Sequence, residues 1–250
     1  MHFMSKVSVI TPFYEESVNM LEKNVLSVSS QITNHQIEHI IICDKPERES
    51  ELMENFKQWI ELINLQTNKN GYYCKILFPE KNLGLPGARN FGIESALGEY
   101  IMTLDTDDRF VDFRVERQIN YMLENNLDHC YGGFREWHWG KEKAEESKVI
   151  PPEFDINYLK NLNNICYCGS NCFTRKVYDT VGGFDEKLNG VGAEDLEYWL
   201  RLSLNGFKSA LFPDVLYYLG ITNNNMTAHY VKEGRFEKAF DYIKKKHNLN

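Results

Sequence analysis

The sequence predicts an α/β fold in which a mostly parallel central sheet is flanked by helices. Three observations carry that expectation. Four short apolar runs, residues 7–11, 39–43, 74–78 and 100–104, are rich in β-branched or aromatic residues and lack the strict alternation of a strand with one wet face, as strands covered on both sides do. Between the first three runs, Val18, Leu21, Val25 and Val28, then Leu52, Phe56, Ile60 and Ile63, recur at steps of three and four, the spacing of a helix with one apolar face. Strand and helix in strict alternation imply right-handed crossovers and therefore parallel strands.

The remaining elements follow in order. A third helix is predicted over 85–97, stopped by Gly98, and Val115, Ile119, Met122 and Leu123 mark another. Residues 137–152 are charged and loop-like, 164–173 have the character of a strand, and Gly182-Gly183-Phe184-Asp185 is a turn. It leads into a helix with Leu196, Trp199, Leu200 and Leu204 at helical spacing. Residues 211–213 and 215–219 suggest one or two further strands. The tail, 230–246, reads as an amphipathic helix with Phe236, Phe240 and Ile243 inward. No internal repeat or low-complexity linker divides the chain, so its 250 residues are expected to form a single domain.

Composition excludes several classes. With 42 % hydrophobic and 26 % charged residues, neither disorder nor a fibrous repeat is expected. A formal charge of −8 argues against non-specific nucleic-acid binding, which draws on a basic face. The N-terminus lacks the pattern of a secretory signal, and no apolar run approaches the roughly 20 residues that span a bilayer, so a cytoplasmic protein is expected. Lys244, Lys245 and Lys246 allow at most peripheral contact with a membrane, and lysines at a helix C-terminus have a simpler explanation in the helix dipole. The six scattered cysteines fit reduced thiols, and Cys166, Cys168 and Cys172 lack the paired spacing of a zinc site.

In open parallel sheets, ligands bind beyond the carboxyl ends of the strands. Here the four predicted strands leave into Thr11-Pro12-Phe13-Tyr14-Glu15-Glu16, Asp44, Pro79-Glu80-Lys81-Asn82 and Asp105-Thr106-Asp107-Asp108. Three carboxylates within four residues repel one another unless a cation or donors offset the charge. A divalent ion bound by hard oxygens, Mg²⁺ or Mn²⁺, suits them, with substrate phosphates completing its shell; a solvated acidic turn is the alternative. Asp44 can accept a hydrogen bond from a nucleobase or ribose, or close an Asx turn before Pro46. Arg89, in a glycine-containing segment, can face phosphate or lie on a wet helix face. Glu194-Asp195 opens a helix, where acids suit the dipole; after Gly190-Val191-Gly192 a carboxylate there can also serve as a general base. Trp137 and Trp139 share a strand face that offers either a stacking surface for a sugar or plain edge-strand packing.

Taken in order, Val7-Ser8-Val9-Ile10-Thr11-Pro12-Phe13-Tyr14, Asp44, Asn82-x-Gly84 with Ala88-Arg89-Asn90, Leu104-Asp105-Thr106-Asp107-Asp108, Gly182-Gly183-Phe184-Asp185-Glu186 and Glu194-Asp195 before Leu200-Arg201-Leu202 resemble the family 2 glycosyltransferases of GT-A fold. The resemblance runs over roughly residues 5–220. It implies a nucleotide-sugar-binding half over about 5–108, an acceptor and catalytic half over about 109–220, and a C-terminal helix over about 228–247. It assigns nucleotide contact to Thr11, Pro12, Tyr14, Asp44, Arg89 and Asp105, and Mn²⁺ or Mg²⁺ to Asp107, Asp105 and Asp108, with the register among the three acids open. Asp195 becomes the expected base, with Glu194 beside it for the acceptor. Glu15 stands where the family usually has Asn, and a family His after the last strands is matched only by the later His229.

The resemblance therefore implies inverting transfer of a sugar from a nucleotide-diphosphate sugar, UDP-linked by expectation, to a hydroxyl of a glycan or lipid-linked acceptor. Acceptor choice is expected to lie in residues 131–189. An Asp-x-Asp phosphotransferase would carry its motif on the first strand, whereas here it lies mid-chain. A nucleotidyltransferase would have a glycine-rich basic first loop, but Thr11-Pro12-Phe13-Tyr14 stands there. A non-catalytic binding module would have no use for intact carboxylates at both Asp107 and Asp195.

Overall fold

A computed structural model describes residues 5–67, 71–141, 143–145, 147–164, 166–222 and 230–249. The strands are β1 (Lys6–Phe13), β2 (Gln36–Cys43), β3 (Tyr72–Leu77), β4 (Tyr100–Thr103), β5 (Arg109–Phe110), β6 (His129–His138), β7 (Cys172–Thr174) and β8 (Ser209–Ile221). They form one sheet in the order β3-β2-β1-β4-β7-β6-β8-β5. β3, β2, β1 and β4 are mutually parallel, as the alternation of strand and helix predicts. Beyond β4 the sheet is mixed: β7 runs antiparallel to both β4 and β6, β6 and β8 are parallel, and β5 is antiparallel to β8.

Helices cover both faces. Leu21, Val25 and Val28 of α1 (Val18–Ser29), with Val115, Ile119 and Met122 of α5 (Arg114–Asn125), pack in one core cluster with Val7, Val9 and Phe13 of β1. Ile10, which points the other way along the same strand, joins the second cluster under α4 (Gly84–Glu94) and α8 (Glu194–Leu204). The two-residue period of the strand thus supplies both layers, each buried aliphatic side chain contributing roughly 1.5–3 kcal/mol. The region between β2 and β3 holds α2 (Glu49–Asn55) and α3 (Lys57–Thr67), separated at Phe56. Short helices α6 (Ile156–Lys160) and α7 (Arg175–Val181) flank β7. Among the described residues no helix is long and apolar enough to cross a membrane.

Several expectations change. Only Cys172–Thr174 of the predicted 164–173 strand joins the sheet, while Cys168–Ser170 is a 3-10 turn. Its carbonyls are claimed elsewhere: Thr103 Oγ1 donates to Cys168 O (2.6 Å), and the buried Arg114 guanidinium donates to Gly169 O and Asn171 O. The first residues of the predicted 137–152 loop extend β6, and the segments at 211–213 and 215–219 are one continuous β8, irregular opposite Gly132 and Gly133. The tail helix is interrupted at Gly234 (φ 64°), so that α9 spans Arg235–His247.

Helix α9 lies across the start of α8. Ala239 and Ile243 are buried beneath it. Lys246 Nζ reaches Glu197 (2.7 Å) and Asp185 (2.6 Å), and His247 Nε2 reaches Glu197 at 2.9 Å. A Cβ on Gly192 would stand 2.8 Å from the Phe236 ring, so the close approach of this helix depends on a residue without a side chain.

Candidate active site

The acidic run begins where β4 ends. Leu104 N–H still pairs with Ile10 O (3.0 Å), and the chain then turns, with Asp108 N–H donating to Asp105 O at 3.0 Å. Neighbouring strands and helices pin the turn. Thr106 Oγ1 donates to Pro12 O (2.6 Å), and Asn24 Nδ2, from the buried face of α1, donates to Asp105 O (2.9 Å) and Asp108 O (3.1 Å). From the far strand, Gly220 N–H donates to Asp108 Oδ1 at 2.8 Å.

The three carboxylates end in different surroundings. Asp105 is partly exposed and meets Arg89 Nη2 at 2.9 Å. The same guanidinium gives Nη1 to Glu194 Oε1 at 2.7 Å, so Arg89, 1 % exposed, ties the acidic turn to the start of α8. Asp108 is buried, and burial followed by the charges of Asp107 and Asp105 drives its pKa well up against the pull of Gly220 N–H and Arg114. Asp107 is pushed up to about 7, first by burial and then by Asp105 and, more weakly, Glu16. No side-chain donor among the described residues holds its carboxylate.

Helix α8 starts abruptly. Ala193 is left-handed (φ 62°), and the following Glu194-Asp195 pair stands in the first turn. Asp195 Oδ2 accepts from Asn164 Nδ2 (2.8 Å) and Oδ1 from its neighbour Leu196 N–H (2.7 Å). Burial and the Glu194 charge lift its pKa to about 6, offset in part by those two donors and by Arg89. A carboxylate so placed is ionised at neutral pH yet more basic than an ordinary one, which suits a general base.

Both ends of this network open on one cleft of about 380 Å³, whose polar side includes Arg89, Asp105, Asp108, Glu194 and Asp195. Leu162, Leu188, Tyr230, Phe236 and Phe240 form an apolar side, and Tyr217 and Leu219 line it from β8. Asp107 borders the same turn but does not line the cleft. Glu194, expected beside the acceptor, is tied to Arg89 and lines the same cleft. Arg89 likewise has two carboxylate partners and is buried, so it does not lie on a wet helix face.

Of the residues expected at the nucleotide, Arg89 and Asp105 line this cleft, and the other four stand at the carboxyl ends of β1 and β2. Thr11 is wholly buried, its hydroxyl engaged by His39 Nε2 (2.9 Å) and Asn24 Oδ1 (3.4 Å), and Pro12 is buried beside it. Tyr14 is 41 % exposed, with Lys45 Nζ 5.3 Å from the centre of its ring. Asp44 Oδ1 accepts from Leu83 N–H at 2.7 Å, which ties strand two to the start of α4 rather than closing a turn at Pro46. His229 lies outside the described residues.

Among the described residues no group of three or more His, Cys, Asp and Glu side chains is arranged to hold a metal ion by itself. Mg²⁺ and Mn²⁺ do not require such a cage, since one or two carboxylates and substrate phosphates suffice. The donor set fits them: hard oxygens, crowded acids with raised pKa values, and in Asp107 a carboxylate with no side-chain donor. Sequence reasoning missed Asn24, Asn164 and Arg114. Asn24 left a signal, as an amide on the apolar face set by Leu21, Val25 and Val28; Asn164, 31 residues from its partner Asp195, left none.

The family model for glycosyl transferase family 2 matches residues 8–182, a span that contains the acidic turn and Arg89. The chain belongs to this family. An uncharacterized glycosyltransferase of Haemophilus influenzae is 34 % identical over 159 residues, covering 64 % of this chain and 58 % of that protein, so the chain spans little more than half the length of this relative. The glucosyltransferase WfgD of Escherichia coli, named for UDP-Glc and α-D-GlcNAc-diphosphoundecaprenol, is 29 % identical over 82 % of this chain and 72 % of its own. The mannosyltransferase PcManGT of Pyrobaculum calidifontis, solved with GDP-Man and Mn²⁺, superposes with a TM-score of 0.68 at 14 % identity over 96 % of this chain and 65 % of that one. The α/β architecture of this family 2 member is thus GT-A-like, a central sheet flanked by helices.

Proposed function

We propose that the protein is a metal-dependent, inverting glycosyltransferase that moves a sugar from a UDP-sugar to a hydroxyl of a glycan or lipid-linked acceptor. The observation that carries this reading is the placement of Asp195, a carboxylate with a pKa lifted to about 6, in the same cleft as the acidic turn. Arg89 couples the two through Asp105 and Glu194. The wording of the Escherichia coli relative supports both the UDP donor and a lipid-diphosphate acceptor.

Asp195 takes the proton of the acceptor hydroxyl while that oxygen attacks the anomeric carbon from the face opposite the diphosphate. Asn164 holds one carboxylate oxygen during this step, and Glu194 is kept on Arg89, away from the attacking oxygen. Asp107 is the residue to hold Mn²⁺ or Mg²⁺, with Asp105 and Asp108 beside it. The bound ion would supply charge neutralisation on the departing diphosphate. Tyr14 and the second oxygen of Asp44 face the nucleoside in this reading, and Thr11 and Pro12 act through the backbone they brace.

Thermal-shift titration with UDP, GDP and CDP, each with and without Mn²⁺, tests it. Stabilisation by UDP that requires metal and disappears in Asp107→Asn is the expected result. No response to any nucleotide, in a protein that otherwise melts cooperatively, overturns it.

A further inference from the structure

Across the sheet from the cleft, the structure builds a second surface that the transferase chemistry does not use. Tyr217 and Leu219 of β8 line the cleft, so the alternate residues Tyr218 and Gly220 turn to the opposite face. Register places Arg109 of β5 beside Tyr218, and Trp137 of β6 beside Gly220. Because Gly220 has no side chain, space is left above it, and a Cβ there would overlap Asp107 O and stand 2.9 Å from Trp139 Nε1. The Arg109 guanidinium lies close to both indoles, its carbon 4.1 Å from the Trp137 ring centre and 4.8 Å from that of Trp139. Lys23 of α1, exposed, places Nζ 5.2 Å from the Trp139 ring. Trp139 is anchored by its own donor, Nε1 to Asp107 O at 3.1 Å.

Arg109 Nε and Nη2 are buried and have no hydrogen-bond partner, and among the described residues no carboxylate lies within ion-pair distance of Arg109 or Lys23. In a chain of net charge −8, two cations with no acidic partner among the described residues stand on a partly exposed indole pair. Among the described acids of the strand and its following loop, Glu136 stands 3.7 Å from His138 and Glu145 pairs with Lys141 at 2.9 Å. The remaining guanidinium nitrogen, Arg109 Nη1, and the Lys23 ammonium can donate to carboxylate or phosphate, and flat indoles offer the apolar face on which a sugar ring stacks.

We propose that Trp137, Trp139, Arg109 and Lys23 form a binding surface for an anionic saccharide, a pyranose ring bearing carboxylate or phosphate. The ring lies against the indoles while its charged group meets Arg109 and Lys23. The surface is separate from the cleft but touches the acidic turn, because Trp139 Nε1 donates to the backbone of Asp107. It gives an acidic enzyme a place to grip a charged polymer apart from the reacting end, and its existence does not depend on the identity of the donor.

The test is calorimetry together with ¹H–¹⁵N spectra of the tryptophan side chains, using tetragalacturonate for the carboxylate arm, glucose 6-phosphate for the phosphate arm and maltotetraose as the neutral control. Binding of at least one anionic probe, weakened by added salt, with the Trp137 indole resonance shifted and maltotetraose silent, is expected. Lys23→Glu, an exposed change, should weaken that binding about tenfold, the scale of one lost charge-assisted contact, and leave Mn²⁺-dependent UDP binding intact. Arg109→Gln should abolish it. Failure of both anions to bind, equal binding of maltotetraose, or undiminished binding by folded Lys23→Glu and Arg109→Gln proteins overturns the proposal. Because UDP binding is read in the same samples, loss of the transferase reading would be seen separately.

Discussion

Replacing Asp195 by Asn should stabilise the protein at neutral pH while removing its activity. Burial and Glu194 raise the Asp195 pKa from an ordinary 3.8 to about 6, and a rise of that size corresponds to roughly 3 kcal/mol between the two protonation states. The sign follows from linkage. A carboxyl whose pKa is higher in the folded state favours folding fully only below about pH 3.8, and that contribution is lost as pH rises through about 6. At about pH 7.5 the wild type therefore bears nearly the whole cost, and at about pH 4.5 only about 1 kcal/mol of it. An amide cannot ionise and escapes the cost, but its NH₂ would face the Asn164 amide, whose Nδ2 now donates to Asp195 Oδ2 at 2.8 Å, a mismatch of about 1 kcal/mol. The net gain is about 2 kcal/mol at pH 7.5, roughly 4–8 °C in melting temperature for a chain of this size, and near zero at pH 4.5. Thermal and urea unfolding at the two pH values measure this. Turnover with a UDP-sugar should fall by about 10²–10⁴, the usual contribution of a general base. A melting difference that is the same at both pH values would show that burial of the carboxylate is not what sets its pKa, and near-wild-type turnover would remove Asp195 from the base role.

Other perturbations follow from the same geometry. Arg89→Met strips the guanidinium shared by Asp105 and Glu194 and leaves two carboxylates crowded at the cleft. We expect a loss of about 3 kcal/mol, the low end for breaking a buried pair because Asp105 is partly exposed, read by urea unfolding. Gly220→Ala places a methyl group against Asp107 O and Trp139 Nε1; overpacking of about 1–3 kcal/mol and weakened Mn²⁺-dependent UDP binding should appear together. With Asp107 raised to about 7, UDP affinity in limiting Mn²⁺ should rise between about pH 6 and 8 as that carboxyl ionises, should be lost with EDTA, and should lose its pH dependence in Asp107→Asn. Glu197→Ala removes the buried acceptor of Arg201, Lys246 and His247. Hydrogen exchange should then report early opening of α9, with the central strands still protected.

The parallel half of the sheet was legible because its strands declare themselves locally. Val7, Val9 and Ile10, or Ile40, Ile41 and Ile42, need no distant partner to be recognised as buried strand, and the helices between them repeat at a clear period. The half after β4 was legible only in pieces. Cys166, Cys168 and Cys172 look like strand residues by composition, yet the turn at Cys168–Ser170 is held by Thr103 and Arg114, 65 and 55 residues away along the chain from their acceptors. Trp137 could be read both on a strand face and at the start of a charged loop, and it lies in β6, which ends one residue later. The acids of the site were visible as motifs, but their different roles were not, because the same side chain behaves differently against Arg89, against Gly220 N–H or against nothing.

The sequence by itself determined the family, the α/β class and the positions where acidic chemistry gathers, since each is written in runs of adjacent residues whose periodicity and charge act over a few ångströms of chain. Only the tertiary structure decided which carboxylate is tied by a guanidinium, which is buried beneath a backbone donor and which has no side-chain donor among the described residues. Those outcomes depend on burial and on partners brought from α1, α4, α8 and β8, and the free energy of a carboxylate is set by what surrounds it in space rather than by what precedes it in the chain.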